Sequence, residues 1–402
     1  MTKHPLHILF ISPYIPSQIR VRPYNLIKYI IKRGHRLTLL ALVPPGEDTS
    51  SLALLRTWCH QVRTVPLPRW QTFFNAAYAL PTQVPLQAAY SRSSHMAKLI
   101  REIQDEATFH VVHIEHLRGA ELGHAVQDLP IVFDSVDSIT LLFEKTLQYG
   151  PTWKSRLMAG LDLARTRHYE GTFLKKYNRT LITSPQDKDM LVKLTSNYTP
   201  QDDRFVVLPN GVDLDYFQPM DIPREPDTLI FTGKMSYHAN IAAALDLAQK
   251  VMPLIWREYP EVKLVLAGKD PSPELLALND ERINVTGAVP DLRPYLAKAT
   301  IAVMPIRYSV GIQNKILESM AMATPVITSP PATAALETEA GKEIIVAESN
   351  QEMAQATINL LKDTALQRII GETGRNYVEQ HHDWRVTAEQ LEHLYLDVLR
   401  KP

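Results

Sequence analysis

Lys315 and Glu318 stand three residues apart in the run Gly311-Ile312-Gln313-Asn314-Lys315-Ile316-Leu317-Glu318. The run follows an apolar stretch, Ile301-Ala302-Val303-Met304, closed by Pro305, which has the composition of a buried strand. On a helix opening near Gly311, positions 311, 315, 318 and 322 share one face. The first turn of such a helix leaves backbone N–H groups unpaired and carries partial positive charge, which suits a phosphate. Gly311 allows close approach, the amides of Ile312 and Asn314 point toward the bound anion, and Lys315 adds a full charge. Glu318, one turn on, is placed to accept hydrogen bonds from sugar hydroxyls. The same spacing also fits an incidental Lys–Glu pair on a buried helix.

Other candidates sit at strand ends. Arg20 and Arg22 lie in the loop 16–22 between an apolar run and a helix, where they could meet an anion or serve solubility alone. Asp134-Ser135-Val136-Asp137 closes another apolar run, so Asp137 could orient a hydroxyl or simply cap a turn. His113 and His116 are three apart but lack further ligands nearby in sequence, which argues against a metal. Asp213-Leu214-Asp215 imitates a metal-holding pair, yet follows the turn signal Pro209-Asn210-Gly211 and reads as structural.

The elements that position these residues alternate along the chain. Leu6 to Ile11 and Arg36 to Val43 are strands flanking a helix from Pro23 to Lys32 that stops at Gly34. Strand, helix, strand with short joints begins a parallel α/β sheet, whose ligands bind at the carboxyl edge. Further strands are expected at 62–65, 110–113, 131–133, 179–183 and 204–208, with a long amphipathic helix from Trp153 to Tyr177. Residues 68–90 are rich in proline and aromatics and show no clear period. A proline-rich stretch, Pro219 to Asp227, reads as a linker. The pattern then restarts with strands at 229–233, 262–268, 284–287, 301–304, 325–328 and 344–346, and a helix from Asn240 to Tyr259. The expected architecture is two facing Rossmann-like domains, 1–218 and 228–378, joined by linker 219–227. Ligand pockets favour the cleft between such domains.

Composition bounds the function. A chain of 402 residues is long enough for two cores, and 45% hydrophobic with 21% charged residues is globular. One cysteine, Cys59, excludes an intrachain disulfide and fits a reducing compartment. No apolar run resembles a signal sequence or membrane span, so a cytoplasmic chain, at most peripheral to the inner face of a membrane, is expected. Net charge is zero, but residues 1–180 carry 22 basic and 13 acidic side chains, and the remainder 21 and 30. A basic first half fits an anionic partner such as a lipid-phosphate carrier or membrane surface. Nucleic acid is disfavoured, since no basic run is interleaved with aromatics.

At the motif level, Leu208-Pro209-Asn210-Gly211-Val212-Asp213, Val265-Leu266-Ala267-Gly268 and Val285-Thr286-Gly287-Ala288-Val289-Pro290-Asp291-Leu292 join Gly311…Lys315…Glu318-Ser319-Met320-Ala321 and Pro325-Val326-Ile327. Together they resemble the retaining glycosyltransferases of the GT-B fold, in the group 1 (glycogen-synthase-like) family. The wording Gly-Ile-Gln-Asn-Lys is similar to that of sugar transferases of bacterial exopolysaccharide and exosortase systems. The resemblance implies a nucleoside-diphosphate sugar held mainly by the second domain, and a hydroxyl acceptor that is a glycan or is lipid-linked. It implies that Glu318 binds the donor ribose and that Lys315 and the amides after Gly311 face the diphosphate or sugar. It further implies that Gly233-Lys234 ends a strand with Lys234 neutralising the leaving group, and that the Ala288-Val289 backbone reads the base. A tail, 379–402, should cross back to the first domain. No metal or cofactor is expected. Three positions depart from the family pattern: Val136 replaces a histidine, Val310 a first glutamate, and Ala239 a basic residue. An epimerase or phosphorylase on the same fold, or a catalytically silent nucleotide-sugar-binding protein, stays open as an alternative.

Overall fold

A computed structural model describes residues 5–149, 153–195, 203–308 and 312–400. The chain divides into two compact units. The first comprises Met1–Leu147, Arg156–Pro209 and Trp384–Pro402, and the second Gln148–Ser155 with Asn210–Asp383.

The first unit is built on seven strands: β1 His7–Ser12, β2 Arg36–Val43, β3 Gln61–Pro66, β4 Val111–Glu115, β5 Ile131–Val136, β6 Arg179–Ile182 and β7 Phe205–Val207. They form one parallel sheet in the order β3-β2-β1-β4-β5-β6-β7. Both faces are covered by helices, so the central strands are buried at nearly every position rather than alternating. The first helix runs Val21–Lys32, two residues earlier than its proline signals, and ends where Gly34 takes φ 100°.

The last helix, Trp384–Arg400, belongs to this unit. Its buried Trp384, Leu391, Tyr395 and Val398 join Ile27, Ile30 and Leu39 in one core. Burial of four such side chains contributes roughly 8 kcal/mol before the entropy of ordering the helix. Tyr395 Oη also pairs with His113 Nδ1 at 2.8 Å, tying the tail to the centre of the sheet.

The second unit carries β8 Thr228–Thr232, β9 Lys263–Ala267, β10 Ile283–Gly287, β11 Ile301–Met304, β12 Val326–Thr328 and β13 Ile345–Val346. They too form a parallel sheet, in the order β10-β9-β8-β11-β12-β13. All thirteen strands fall where the apolar runs place them. The boundary between units lies at Pro209, ahead of the proline-rich 219–227 stretch, because Val212 and Leu214 bury in the second core.

Two helical readings change. The expected helix from Asn240 to Tyr259 is helical from His238, takes a π turn at Leu247–Val251 and stops at Ile255. Pro253 has no N–H to donate, and the wider turn just before it accommodates that loss. The stretch 68–90 is not irregular: Arg69–Ala79 and Leu86–Tyr90 are helices.

Candidate functional site

In each sheet the strand order reverses at one place, between β1 and β4 and between β8 and β11. The crevice outside the carboxyl ends of the strands at such a reversal is where open α/β sheets bind ligands. Lys234, Lys315 and Glu318 lie near the second of these places; the remaining candidates are spread more widely.

In the second unit, β8 ends in Gly233, with φ 150°, followed by the exposed Lys234. A Cβ at Gly233 would lie 2.7 Å from Asn240 Nδ2 and 3.2 Å from Lys315 Cε, so only glycine leaves room there. β9 ends in Gly268, φ 158°, where a Cβ would fall 1.8 Å from the Gly233 carbonyl oxygen. The two strand ends are thus packed backbone to backbone, and the space above them goes to Lys315.

The helix carrying Lys315 and Glu318 is Asn314–Ala321, so it opens three residues later than the glycine led us to expect. Gly311 and Val310 lie outside the described residues. Ile312 is buried in the second core, while Asn314 is half-buried, its Oδ1 accepting from Asn210 Nδ2 at 3.3 Å. Ile316, Leu317 and Met320 anchor the buried face of the helix. Lys315 and Glu318 are half-buried at its margin.

Lys315 Nζ donates to Asn240 Oδ1 at 2.9 Å and to Gln313 Oε1 at 3.0 Å, and lies 5.9 Å from the centre of the Phe231 ring. Asn240 is fixed in turn by donating from Nδ2 to the Lys234 carbonyl at 3.0 Å. Two neutral amides therefore hold the ammonium without neutralising it. Burial draws its pKa down to about 8, with Glu318 opposing that fall. Glu318 is pushed the other way, up to about 7, by burial, with Lys315 opposing. The two groups feel each other's charge but form no ion pair among the described residues. A lysine and a carboxylate left partly desolvated and unpaired are poised for a third party.

Val289 is half-buried in the loop after β10, at the sheet's outer edge. Asn240 and Gln313 were not singled out from sequence. The signal for Asn240 was its place one turn into the helix after Gly233-Lys234; nothing marked Gln313. His238, at the start of the helix after Lys234, and Tyr308, after β11, stack at 5.8 Å and share a hydrogen bond. A cleft of about 460 Å³ also opens beyond β11, β12 and β13, bordered by Arg307, Ser329, Ser349 and Asn350.

The first unit separates its candidates. Arg22 is 4% exposed, donates from Nε to Asp134 Oδ2 at 2.7 Å and from Nη1 to the Leu208 carbonyl at 2.9 Å. Its guanidinium is committed to the fold, which corrects the expectation that it meets an anion at the surface. The buried ends of His113, Glu115 and Asp134 lie within 4.8 Å of one another, a spacing that could hold an ion. Arg22 already brings a positive charge to Asp134 there, and Tyr14 and Tyr395 donate or accept at the other two.

Arg20, by contrast, is exposed, its guanidinium 4.3 Å from the centre of the Tyr14 ring. His116, just past β4, takes φ 63°, and burial followed by Arg118 and Arg20 holds its pKa down to about 3. Val136, where the family pattern has histidine, takes φ 67° at the end of β5. A β-branched residue in that region is strained, and such strain concentrates at functional turns.

Asp137 follows, half-buried, accepting from Thr183 Oγ1 at 3.0 Å. Burial, then the nearby Asp187, raise its pKa to about 7. The turn behind it is pinned by Asp187 accepting from the Ser138 amide at 2.9 Å and Glu170 from the Ile139 amide at 2.8 Å. Asp213 is a turn residue, accepting from the Tyr216 amide at 3.3 Å.

Residues 226–363 match the family model described as "Glycosyl transferases group 1". No curated protein sequence matches the chain. Among solved structures, a glycosyltransferase from Rickettsia africae aligns with TM-score 0.70 at 15% identity, covering 99% of this chain and 100% of its own. Sucrose-phosphate synthase from Thermosynechococcus elongatus aligns with TM-score 0.71 at 17% identity, covering 99% and 100%. HepE from Anabaena, solved in complex with UDP and glucose, aligns with TM-score 0.68 at 13% identity, covering 98% and 100%. Each of the two parallel-sheet units is of the kind that builds the GT-B glycosyltransferase fold, and the segment bearing Gly233, Lys234, Lys315 and Glu318 is the one that matches the group 1 family.

Proposed function

We propose that this chain is a retaining glycosyltransferase, moving a sugar from a nucleoside-diphosphate sugar to an acceptor hydroxyl in glycan assembly of the exopolysaccharide kind. One observation carries the reading: an ammonium held by neutral amides stands beside an unpaired carboxylate, at the strand-order reversal of the unit matching the family. Breaking the bond to the sugar builds charge on the departing diphosphate. Preorganised cations and helix N–H groups at that point lower the barrier more than they tighten substrate binding. Lys315 and Lys234 supply the cations, with the amides opening the Asn314–Ala321 helix beside them. Lys234 acts as a point charge, without the two-pronged geometry of arginine. Glu318 accepts from the ribose hydroxyls, and the Val289 backbone borders the base. Side-chain cations, with no metal ion, carry the leaving-group charge in this scheme.

On the first unit, Asp137 orients the acceptor hydroxyl and Arg20 meets an anionic part of either substrate. The HepE complex with UDP and glucose supports a UDP-sugar as the first donor to try. The test is release of nucleoside diphosphate from a panel of nucleotide sugars in the presence of hydroxyl acceptors, with Lys315→Ala and Glu318→Ala alongside. Undiminished turnover in both variants sinks the site assignment. Donor consumption without any acceptor and without nucleoside diphosphate release replaces transfer with epimerisation.

A further inference from the structure

The helix Arg69–Ala79 is amphipathic in the inverted sense. Its polar side faces the protein: Gln71 Nε2 and Asn75 Nδ2 donate to the Arg92 carbonyl at 3.0 and 2.8 Å. Its apolar side faces outward, with Trp70 65%, Phe73 70% and Tyr78 74% exposed, and Phe74 between them. Positions 70, 73, 74 and 78 form one stripe at helical spacing.

From Arg156 to Asp162 the helix Trp153–Phe173, in the same unit, also turns apolar side chains outward. Asp162 and Glu170 are buried, while Leu157, Met158 and Leu161 are more than half exposed. Arg165 links the two helices, donating from Nη1 to the Leu161 carbonyl at 2.9 Å and from Nη2 to the Leu80 carbonyl at 2.6 Å. Leu80, itself exposed, extends the stripe to that junction. Exposed large apolar side chains clustered in this way mark an interaction site.

Charge identifies the occupant. Residues 49–101, which include the aromatic helix, carry six basic side chains and no acidic one. Both acids of the second helix are turned inward, leaving Arg156 and Arg167 among its exposed positions. The half-buried carboxylate Glu144 is paired with Arg167. Tryptophan and tyrosine with aliphatic neighbours, on a stretch whose charges are mostly basic, match the boundary between acyl chains and anionic headgroups. Among the described residues no helix is long and apolar enough to cross a membrane, so contact here is by lying on the surface.

We propose that the outward faces of these two helices dock the first unit onto an anionic lipid bilayer, with Trp70, Phe73, Tyr78 and Leu161 entering the headgroup region. The proposal does not depend on which reaction the chain catalyses.

The test is flotation of the full chain with vesicles of phosphatidylcholine mixed with phosphatidylglycerol, against phosphatidylcholine alone, at low and high salt. The expected result is preferential binding to the anionic vesicles, weakened by salt. The variant W70S/F73S should bind about tenfold or more weakly, since each ring contributes buried apolar area. Its melting temperature should stay unchanged, because both rings are solvent-exposed in the free protein. Three results overturn the proposal: equal binding of variant and parent, equal binding to neutral and anionic vesicles, or no vesicle binding with a concentration-dependent dimer that the variant abolishes. The last would assign the surface to a second copy of this chain.

Discussion

Replacing Lys315 with methionine should make the protein more stable and nearly inactive. The reasoning starts from the ammonium's position, half-buried and held only by Asn240 and Gln313. A folded pKa of about 8 against 10.5 for a free lysine means that the fold resists the charged form. At about 1.4 kcal/mol for each tenfold change, that resistance is about 3 kcal/mol at neutral pH. Methionine fills similar volume without charge, but frees two amide oxygens whose lost hydrogen bonds return about 1 kcal/mol or more. The net gain is about 1.5 kcal/mol, which raises the melting temperature of a unit this size by about 3 to 6 °C.

The sign with pH follows from the lowered base. The wild-type penalty is complete below pH 8, fades as pH rises from about 8 to 10.5, and is absent above. The stability gap between variant and parent should close over that same interval. Turnover should fall about 100- to 1,000-fold, the usual cost of losing one preorganised donor to a developing anion. Differential scanning calorimetry across pH 6 to 11, paired with nucleoside diphosphate release, reads both halves. A variant that melts lower than its parent at pH 7, or keeps turnover within about threefold, refutes the claim that this lysine is held charged for a ligand.

The other predictions concern neighbouring groups. Glu318→Gln should weaken nucleotide-sugar binding about 10- to 100-fold in calorimetric titration, the worth of hydrogen bonds to a charged acceptor. Because burial raises its folded pKa to about 7, the wild type loses stability as pH rises from about 4.5 through 7, and the glutamine variant should not. Gly268→Ala places a Cβ 1.8 Å from the Gly233 carbonyl oxygen and should cost more than about 3 kcal/mol, read as a lost or sharply lowered melting transition. Arg22→Leu leaves Asp134 buried without its partner and should destabilise the first unit by about 3 to 5 kcal/mol in denaturant titration. Nucleotide affinity should be untouched by it, and a loss of affinity at full stability would return Arg22 to the site.

The central strands were readable because each is an apolar run buried on both faces, so neither register nor partner is needed to find it. Lys315 and Glu318 were readable because both lie on one short helix, where spacing alone settles which side they share. Asn240 and Gln313 were not, since their role is to hold an ammonium that reaches them from elsewhere in the chain. Arg22 shows the converse. It is the right kind of residue just past the right strand edge, but Asp134 comes 112 positions later, and only folding brings the two to 2.7 Å. The aromatic helix at 69–79 escaped for another reason: its period is present, but its apolar stripe turns away from the core that such periods normally serve.

The tail helix Trp384–Arg400 has a consequence for how the molecule is made. It supplies part of the first unit's interior, yet it leaves the ribosome after the whole second unit has been translated. At about 5 to 20 residues per second, the amino-terminal sheet waits roughly 10 to 35 s for its missing wall, while the later unit has every segment it needs. The half that emerges last is therefore able to mature first. During that interval the nascent chain presents the bare groove awaiting Trp384 and Tyr395, a natural substrate for holdases and proteases.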